Sequence, residues 1–267
     1  MILPLIKGGF QLYQEERLMG MLQYLQANHR ISIETICGLF EVSRDTARRD
    51  IIKLEEQGQI LRTRGGAILP TLPKTVANYM ARLHDETTTE SKKAIGRMAA
   101  SLLHEGDYLL LDASTTVQSA AEQISTLDHV VVTNSIDIAG ILGQKQRISI
   151  HLLGGILHAE HRFIYGARAI EMLGDYHVHK LLMGTCAITG EGITNPYEEE
   201  GYITKEMMRR ADQVILLADH TKFGIKHFHR IAGLDRIDIL ITDLEPDDEM
   251  KEILIKHEIS LMVAKGD

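Results

Sequence analysis

From residue 15 to 26 apolar side chains recur every three to four positions, with Leu18, Met19, Leu22 and Leu25 on one side. That spacing predicts a first helix, with Asn28 as a stop. Ser32 opens a second, shorter helix over 32–40 with an apolar face of Ile33, Ile36, Cys37 and Phe40. A tight Glu41-Val42 segment follows, and Ser43 is a good N-cap for a third helix to about residue 57, which Gly58 would end. In that helix Ala47, Ile51 and Leu54 fall on one stripe, the side that packs inward. Residues 59–69 read as two short strands around the Gly65-Gly66 turn.

Beyond Pro70-Thr71-Leu72-Pro73-Lys74 the pattern changes. An amphipathic helix is expected over 92–103. After it, short apolar runs alternate with helical stretches. The strand candidates are 108–111, 129–133, 148–153, 180–183, 214–218, 237–242 and 260–263, and the helical stretches include 116–124, 136–142, 167–173, 202–211 and 250–257. Several strands are apolar nearly throughout, as in a parallel sheet covered on both faces. The expected architecture is an α/β main domain, mostly parallel with Rossmann-like layers, preceded by a small helical domain. Its boundaries are 11–69 for the small domain, 70–90 for a linker and 91–267 for the body.

Composition refines this picture at three points. The 267 residues are 44% hydrophobic and 25% charged, ordinary for a folded chain and long enough for one small domain plus one of average size. No apolar run approaches the roughly 18 residues that span a bilayer, and the apolar residues 1–10 lack the basic start and cleavage site of a signal peptide, so they read as a frayed tail. Cys37 and Cys186 stand far apart within apolar patterns, which points to a reducing cytoplasm and buried thiols rather than a disulfide or redox switch.

The net charge of −8 argues against a protein that coats nucleic acid, but its distribution says more. Residues 1–70 hold nine Lys/Arg against eight acids, a net of +1, whereas the remainder holds 20 against 29, a net of −9. The bases bunch at Arg44–Lys53 and at Arg62–Arg64, as when one end meets phosphates and the bulk does not.

Two helices joined by a turn of about four residues are the skeleton of a helix-turn-helix. Thr46, Arg48, Arg49 and Lys53 lie outside the packing stripe of the third helix, with Arg44 in its first turn. An arginine donates bidentately to a guanine edge or clamps a phosphate. Ser43, with the open amides of the helix start, holds a backbone phosphate. Arg62 and Arg64 alternate outward near the hairpin tip, where a wing touches the duplex. A three-helix bundle with a solvated basic face is the plainer alternative. The capped helix, the paired arginines and the basic hairpin occur together, which favours double-stranded operator DNA as partner.

The run Val42-Ser43-Arg44-Asp45-Thr46-Ala47-Arg48-Arg49-Asp50-Ile51, then Leu54-Glu55, Gly58, Leu61-Arg62 and Gly65-Gly66-Ala67, resembles the DNA-binding motif of the DeoR family of repressors. Ala47 stands where that motif has a larger aliphatic residue and Ile51 where it has leucine; both are inward positions. The resemblance implies a winged helix-turn-helix.

Four strand ends of the body carry small or polar residues. Asp112-Ala113-Ser114-Thr115-Thr116 and Thr133-Asn134-Ser135 each lead into a helix, where hydroxyls and free amides make an anion site. Gly154-Gly155 lets backbone approach a ligand, and Asp219-His220-Thr221-Lys222 places a carboxylate and an ammonium together. Singly each is a turn with a capped helix; together they favour a polyol-phosphate pocket. These strand ends, with Gly166-Ala167, Gly192-Ile193-Thr194, Lys205 and Ile241-Thr242-Asp243, are similar to the DeoR-family sensor domain, itself similar to ribose-5-phosphate isomerase and the CoA-transferases. That resemblance implies an effector site lined by Ser114, Thr115, Thr116, Thr133, Asn134 and Lys222, with Lys205 among its landmarks. Ser114 replaces the family's usual glycine, and residues 198–201 depart from its pattern.

The expected function is therefore sequence-specific repression of a carbohydrate catabolic operon, relieved by a phosphorylated sugar or sugar acid, in a dimer or tetramer with no membrane partner. The alternative is a sugar-phosphate isomerase-like enzyme with a DNA-binding head, using Asp112, Asp219 and Lys222 as acid–base groups. No cofactor is expected. His158-x-x-His161, His177-x-His179 and His227-x-His229 lack a third ligand of fixed spacing, so no metal is expected either.

Overall fold

A computed structural model describes residues 13–28, 30–57, 59–68, 77 and 79–265. The tail at 1–10, the helix break at Gly58 and the start of the linker at 70–74 lie outside the described residues. The chain divides into two compact units, Met1–Thr75 and Val76–Asp267.

The first unit runs α1 (Gln14–Asn28), β1 (Arg30–Ser32), α2 (Ile33–Phe40), α3 (Arg44–Glu56), β2 (Leu61–Thr63) and β3 (Gly66–Ile68). Ser32 caps α2 by accepting the Thr35 amide, and Ser43 caps α3 by accepting that of Thr46. Between the two helices Glu41 takes a left-handed conformation (φ 51°), which turns the chain within three residues. Leu18, Met21, Leu25, Ile36, Ala47, Ile51 and Leu54 meet in one core.

The hairpin differs from expectation in two ways. It is a three-stranded antiparallel sheet in the order β1-β3-β2, because Arg30–Ser32 adds a strand too short to show a period. Gly66 belongs to β3 rather than to the turn: a Cβ there would lie 2.0 Å from the Ile31 carbonyl oxygen, so only glycine lets the two strands meet.

The second unit begins with α4 (Tyr79–Leu83) and α5 (Thr89–Ser101), then β4 (Tyr108–Leu111), α6 (Thr115–Gln123), β5 (His129–Thr133), α7 (Ile136–Leu142) and β6 (Ile148–Leu152). A hairpin of β7 (Ile156–His158) and β8 (Phe163–Tyr165) leads to α8 (Ala167–Leu173) and β9 (Val178–Gly184). There follow β10 (Ala187–Thr189), β11 (Gly192–Asn195), α9 (Glu198–Arg209), β12 (Ala211–Leu217) and β13 (His229–Ala232). The unit closes with β14 (Ile239–Thr242), α10 (Asp248–Lys256) and β15 (Ser260–Val263).

Seven strands form one parallel sheet in the order β15-β14-β12-β9-β4-β5-β6. Alternate residues feed opposite cores, as a strand's two-residue period requires. Leu109, Leu111, Val131 and Leu182 pack under α5, α6 and α7, whereas Leu110, Val132, Leu181 and Met183 pack under α8, α9 and α10. The chain leaves β4 toward β5 and β6, then returns to β9 on the other side of β4. That reversal makes the carboxyl ends of β4 and β9 the switch point at which open parallel sheets form their ligand crevice.

Two smaller pieces escape the sequence pattern, the β7–β8 hairpin and an antiparallel sheet β10-β11-β13, all of three- or four-residue strands. The linker expected over 70–90 is also corrected in its later half. Tyr79 is fully buried, its amide donates to the Glu160 carbonyl at 3.0 Å and its hydroxyl donates to Gln118, so α4 belongs to the body.

Candidate functional site

In the first unit, the inward stripe of α3 leaves Arg44, Arg48 and Arg49 exposed, with Ser43 at the helix start and Thr46 half-buried beside it. Arg44 pairs with Glu34 on α2, and Arg48 reaches Asp45 at 3.5 Å, both in solvent. Such exposed pairs are worth at most about 1 kcal/mol, so either arginine exchanges its carboxylate for a phosphate at little cost. Arg62 and Arg64 are exposed on and just beyond β2.

Lys53 is placed differently from its expected outward position. Its ammonium donates to Gln14 Oε1 on α1 at 3.1 Å, and it is half-buried. It belongs to a network that the hydrophobic pattern does not reveal. Asp50 is fully buried within α3, and Arg17 of α1 grips it with Nε–Oδ2 at 2.8 Å and Nη2–Oδ1 at 3.2 Å. Gln14 Nε2 adds a third bond to Asp50 at 2.9 Å. This pair fixes the rotation of α3 on α1, and thereby which face of α3 looks outward. The sequence signal for it is a charged residue on the apolar stripe, between Ala47 and Ile51.

In the second unit, the crevice is built from strand ends. Asp112 follows β4, is buried, and accepts the Ser114 amide on Oδ1 and the Gly184 amide on Oδ2, both at 2.9 Å. It thereby ties the ends of β4 and β9 together. Burial raises its carboxyl pKa to about 6 against the lowering effect of those two amides, and Glu200 raises it further. Ser114 caps α6 by accepting the Val117 amide at 3.1 Å, leaving the first-turn amides at Thr115 and Thr116 without intrahelical acceptors. Gly184 is what admits this loop: a Cβ there would sit 2.4 Å from both Cβ and Oγ of Ser114.

On β5, Thr133 Oγ1 donates to the Leu111 carbonyl at 2.7 Å and accepts the Ser135 amide at 3.0 Å, so its hydroxyl is structural. Ser135 Oγ accepts the Ile138 amide and caps α7. Asn134, 3% exposed, donates to the Ile164 carbonyl at 3.2 Å, while its Oδ1 has no donor among the described residues. Gly155 (φ 153°) lies against β8, where a Cβ would meet the Tyr165 carbonyl oxygen at 2.5 Å, and Gly154 packs on Met172. Both glycines shape the β7–β8 hairpin.

Asp219, fully buried, binds the Thr221 amide and hydroxyl through Oδ1; its Oδ2 accepts no hydrogen bond among the described residues and lies 3.5 Å from the Lys222 ammonium. Lys222 also donates to Thr221 Oγ1 at 3.0 Å. Lys205 stands elsewhere: its ammonium meets His229 Nε2 at 3.1 Å and the face of Tyr202. It is not brought to the strand-end cluster, because it lies on the side of α9 that faces β13.

Two cations that sequence reasoning passed over, Lys92 and Arg82, act on this cluster through their charge. Lys92, in the first turn of α5, is buried and donates to the Arg82 carbonyl of α4. Burial lowers its pKa, the Asp219 charge opposes that, and Lys222 and Arg82 reinforce it. The Arg82 charge also acts on His161, whose pKa burial has already brought down to about 4, and on Cys186, whose thiol burial pushes up to about 12. Cys186 and Cys37 are both half-buried rather than fully enclosed. Arg82 carries no sequence signal, since it falls in the stretch read as linker; Gly184 does, as the small residue ending a buried strand.

His158 and His161 lie in an aromatic cluster with Phe163, Tyr165 and Tyr197. Among the described residues no three His, Cys, Asp or Glu side chains converge as metal ligands, and no helix is long and apolar enough to cross a membrane.

Comparison with known proteins gives two family matches, a DeoR-like helix-turn-helix domain over residues 17–72 and a DeoR C terminal sensor domain over 87–244. The HTH-type transcriptional repressor GlcR of Bacillus subtilis (strain 168) is 50% identical over 96% of this chain and 98% of its own. The glycerol-3-phosphate regulon repressor of Escherichia coli (strain K12) is 28% identical over 93% of this chain and 98% of its own. Ribose 5 phosphate isomerase A from Neisseria gonorrhoeae aligns with 52% of this chain and 56% of its own at 12% identity and a TM-score of 0.39. A helix-turn-helix unit and a sensor domain on one chain define a DNA-binding transcriptional regulator. The chain belongs to the DeoR family of transcriptional repressors.

Proposed function

We propose that this repressor controls genes of carbohydrate use and is released from its operator by a phosphorylated sugar or sugar acid bound in the crevice between β4 and β9. What supports the reading is the buried Lys92 ammonium held at the Arg82 carbonyl, the Lys222 ammonium 3.5 Å from Asp219, and the Ser114-capped start of α6. Cations and open helix amides together suit a phosphate. The glycerol-3-phosphate regulon repressor, by its name, acts in the metabolism of a phosphorylated polyol, which supports the same class of ligand here.

On the DNA side, Arg48 and Arg49 read base edges in the major groove, while Ser43, Arg44, Thr46, Arg62 and Arg64 hold the backbone. Two copies of the chain present two such faces to paired half-sites, as helix-turn-helix proteins do. For the isomerase-like alternative Asp112 is poorly suited as the base, since both of its oxygens are engaged by the amides of Ser114 and Gly184, which leaves that role to Asp219 beside Lys222.

The test is selection of genomic fragments by the purified chain at about physiological salt, where nonspecific phosphate binding fades. Each selected fragment is then titrated with sugar phosphates. Discrete sites released by a phosphorylated sugar, and not by the free sugar, support the reading. Sequence-blind binding, or release by none of the compounds, contradicts it.

A further inference from the structure

Three polar atoms of the second unit are buried without a hydrogen-bond partner among the described residues: Arg82 Nε, Asn134 Oδ1 and Asp219 Oδ2. The first is a donor and the other two are acceptors. A buried polar group is expensive to leave unpaired, and each one calls for an explanation, such as a ligand that completes it. The Lys92 ammonium, on which the Asp219 charge acts, donates to the Arg82 carbonyl, and Asn134 follows β5, whose Thr133 hydroxyl bonds the end of β4. A ligand that satisfies all three must bring an acceptor to the arginine and donors to the two oxygens, of which Asp219 Oδ2 already faces the Lys222 ammonium at 3.5 Å. A polyhydroxylated phosphate carries both, in phosphoryl oxygens and hydroxyls; inorganic phosphate at neutral pH satisfies the arginine far better than the two acceptors.

Arg82 also holds a special place along the chain. It lies on α4, the first described helix of the body, six residues after the boundary at Val76. Tyr79 on the same helix bonds Gln118 in α6 and Glu160 in the hairpin between β7 and β8, and the guanidinium stands 6.0 Å from the Tyr79 ring. Its carbonyl holds Lys92. Among the described residues no carboxylate pairs with it. We propose that Arg82 takes a phosphoryl oxygen of the effector and is the residue through which occupancy is passed to the linker, because binding pins α4, the element into which the linker runs, against α6. The inference rests on the phosphorylated-effector reading above.

The experiment uses the full-length chain, a selected operator fragment, and inorganic phosphate, glycerol 3-phosphate, ribose 5-phosphate, fructose 6-phosphate and glucose 6-phosphate as probes. Affinity is measured by titration calorimetry, and amide exchange is followed over residues 79–92. For the wild type we expect one sugar phosphate to slow exchange there and to weaken operator binding at least tenfold, with inorganic phosphate binding more weakly. Arg82→Gln should bind that compound at least tenfold more weakly and, once saturated, should keep its operator affinity. Arg82→Lys, which keeps the charge without the planar fork, should fall between the two.

A saturated Arg82→Gln that releases operator as completely as the wild type overturns the coupling role while leaving the effector reading standing. Undiminished binding in Arg82→Gln overturns the contact itself. A wild type that answers to none of the sugar phosphates removes the effector reading, and the proposal with it. Should Arg82→Gln fold poorly, Arg82→Lys alone decides: wild-type affinity and wild-type slowing of exchange over 79–92 would overturn the proposal.

Discussion

The two units handle charge in opposite ways. The outward face of α3 keeps Arg44, Arg48 and Arg49 in solvent, where each costs almost nothing. The body buries Lys92, Asp112 and Asp219 at the ends of parallel strands, where each would be costly without the amides, hydroxyls and neighbouring charges around it. A surface that must release and rebind a long polyanion benefits from the first arrangement. A pocket that must distinguish one small anion from others benefits from the second. The exception in the head is Arg17–Asp50, a buried pair whose place is behind the reading face rather than on it.

That exception gives the largest expected effect. Asp50→Ala leaves the Arg17 guanidinium buried without its carboxylate, which costs about 3–5 kcal/mol. We expect the first unit to melt at a lower temperature, seen by calorimetry, while the sugar-phosphate affinity of the second is unchanged. Loss of operator binding without any loss of stability would instead place Asp50 on the DNA-contacting face.

Next is the pH response of the body. The Asp112 pKa of about 6 in the fold against an ordinary 3.8 means that the folded state holds its proton more tightly than the unfolded chain. The carboxyl therefore contributes stability that is fully present at low pH and is lost as pH rises from about 4 to 6, on the order of 3 kcal/mol at most. His161 works the other way: its pKa of about 4 lies below the ordinary 6.5, so stability falls as pH drops through that window. Comparing melting curves of the wild type and Asp112→Asn from pH 4 to 8 isolates the first contribution, and the variant should lack the wild type's loss between about pH 4 and 6. Parallel curves for the two proteins would mean that Asp112 is not held protonated by burial.

Arg48→Ala and Arg49→Ala should each weaken operator binding by about 1–3 kcal/mol if they meet base edges, with unchanged melting and unchanged effector affinity. Unchanged operator affinity in both removes the assignment of the reading face. Smallest in free energy is Lys222→Ala, for which we expect about a tenfold loss of sugar-phosphate affinity, or about 1.4 kcal/mol, at full operator binding. A fully inducible Lys222→Ala would take that ammonium out of the site.

The same contrast decides what the order of residues reveals by itself. The head's candidate face is contiguous: Ser43, Thr46, Arg48 and Arg49 share two turns of one helix, so its cap and its apolar stripe follow from local spacing alone. The seven strands of the body are legible too, because a buried parallel strand is an apolar run. The crevice is legible only where a strand ends in hydroxyls or glycine, as at Asp112–Thr116 and Thr133–Ser135. Arg82 and Lys92 reach it from helices that precede the sheet, and no local spacing announces such a meeting. Lys205, a landmark of family resemblance, goes instead to His229. Lys53 faces Gln14 because Asp50, one turn earlier, draws that side of α3 onto α1.

The most direct test of the central claim is operator affinity of the full-length chain measured against increasing sugar phosphate at fixed salt. At least one phosphorylated sugar is expected to weaken binding tenfold or more, its unphosphorylated form is not, and the effect should disappear in Arg82→Gln. Operator affinity that stays flat across the whole series would contradict that claim.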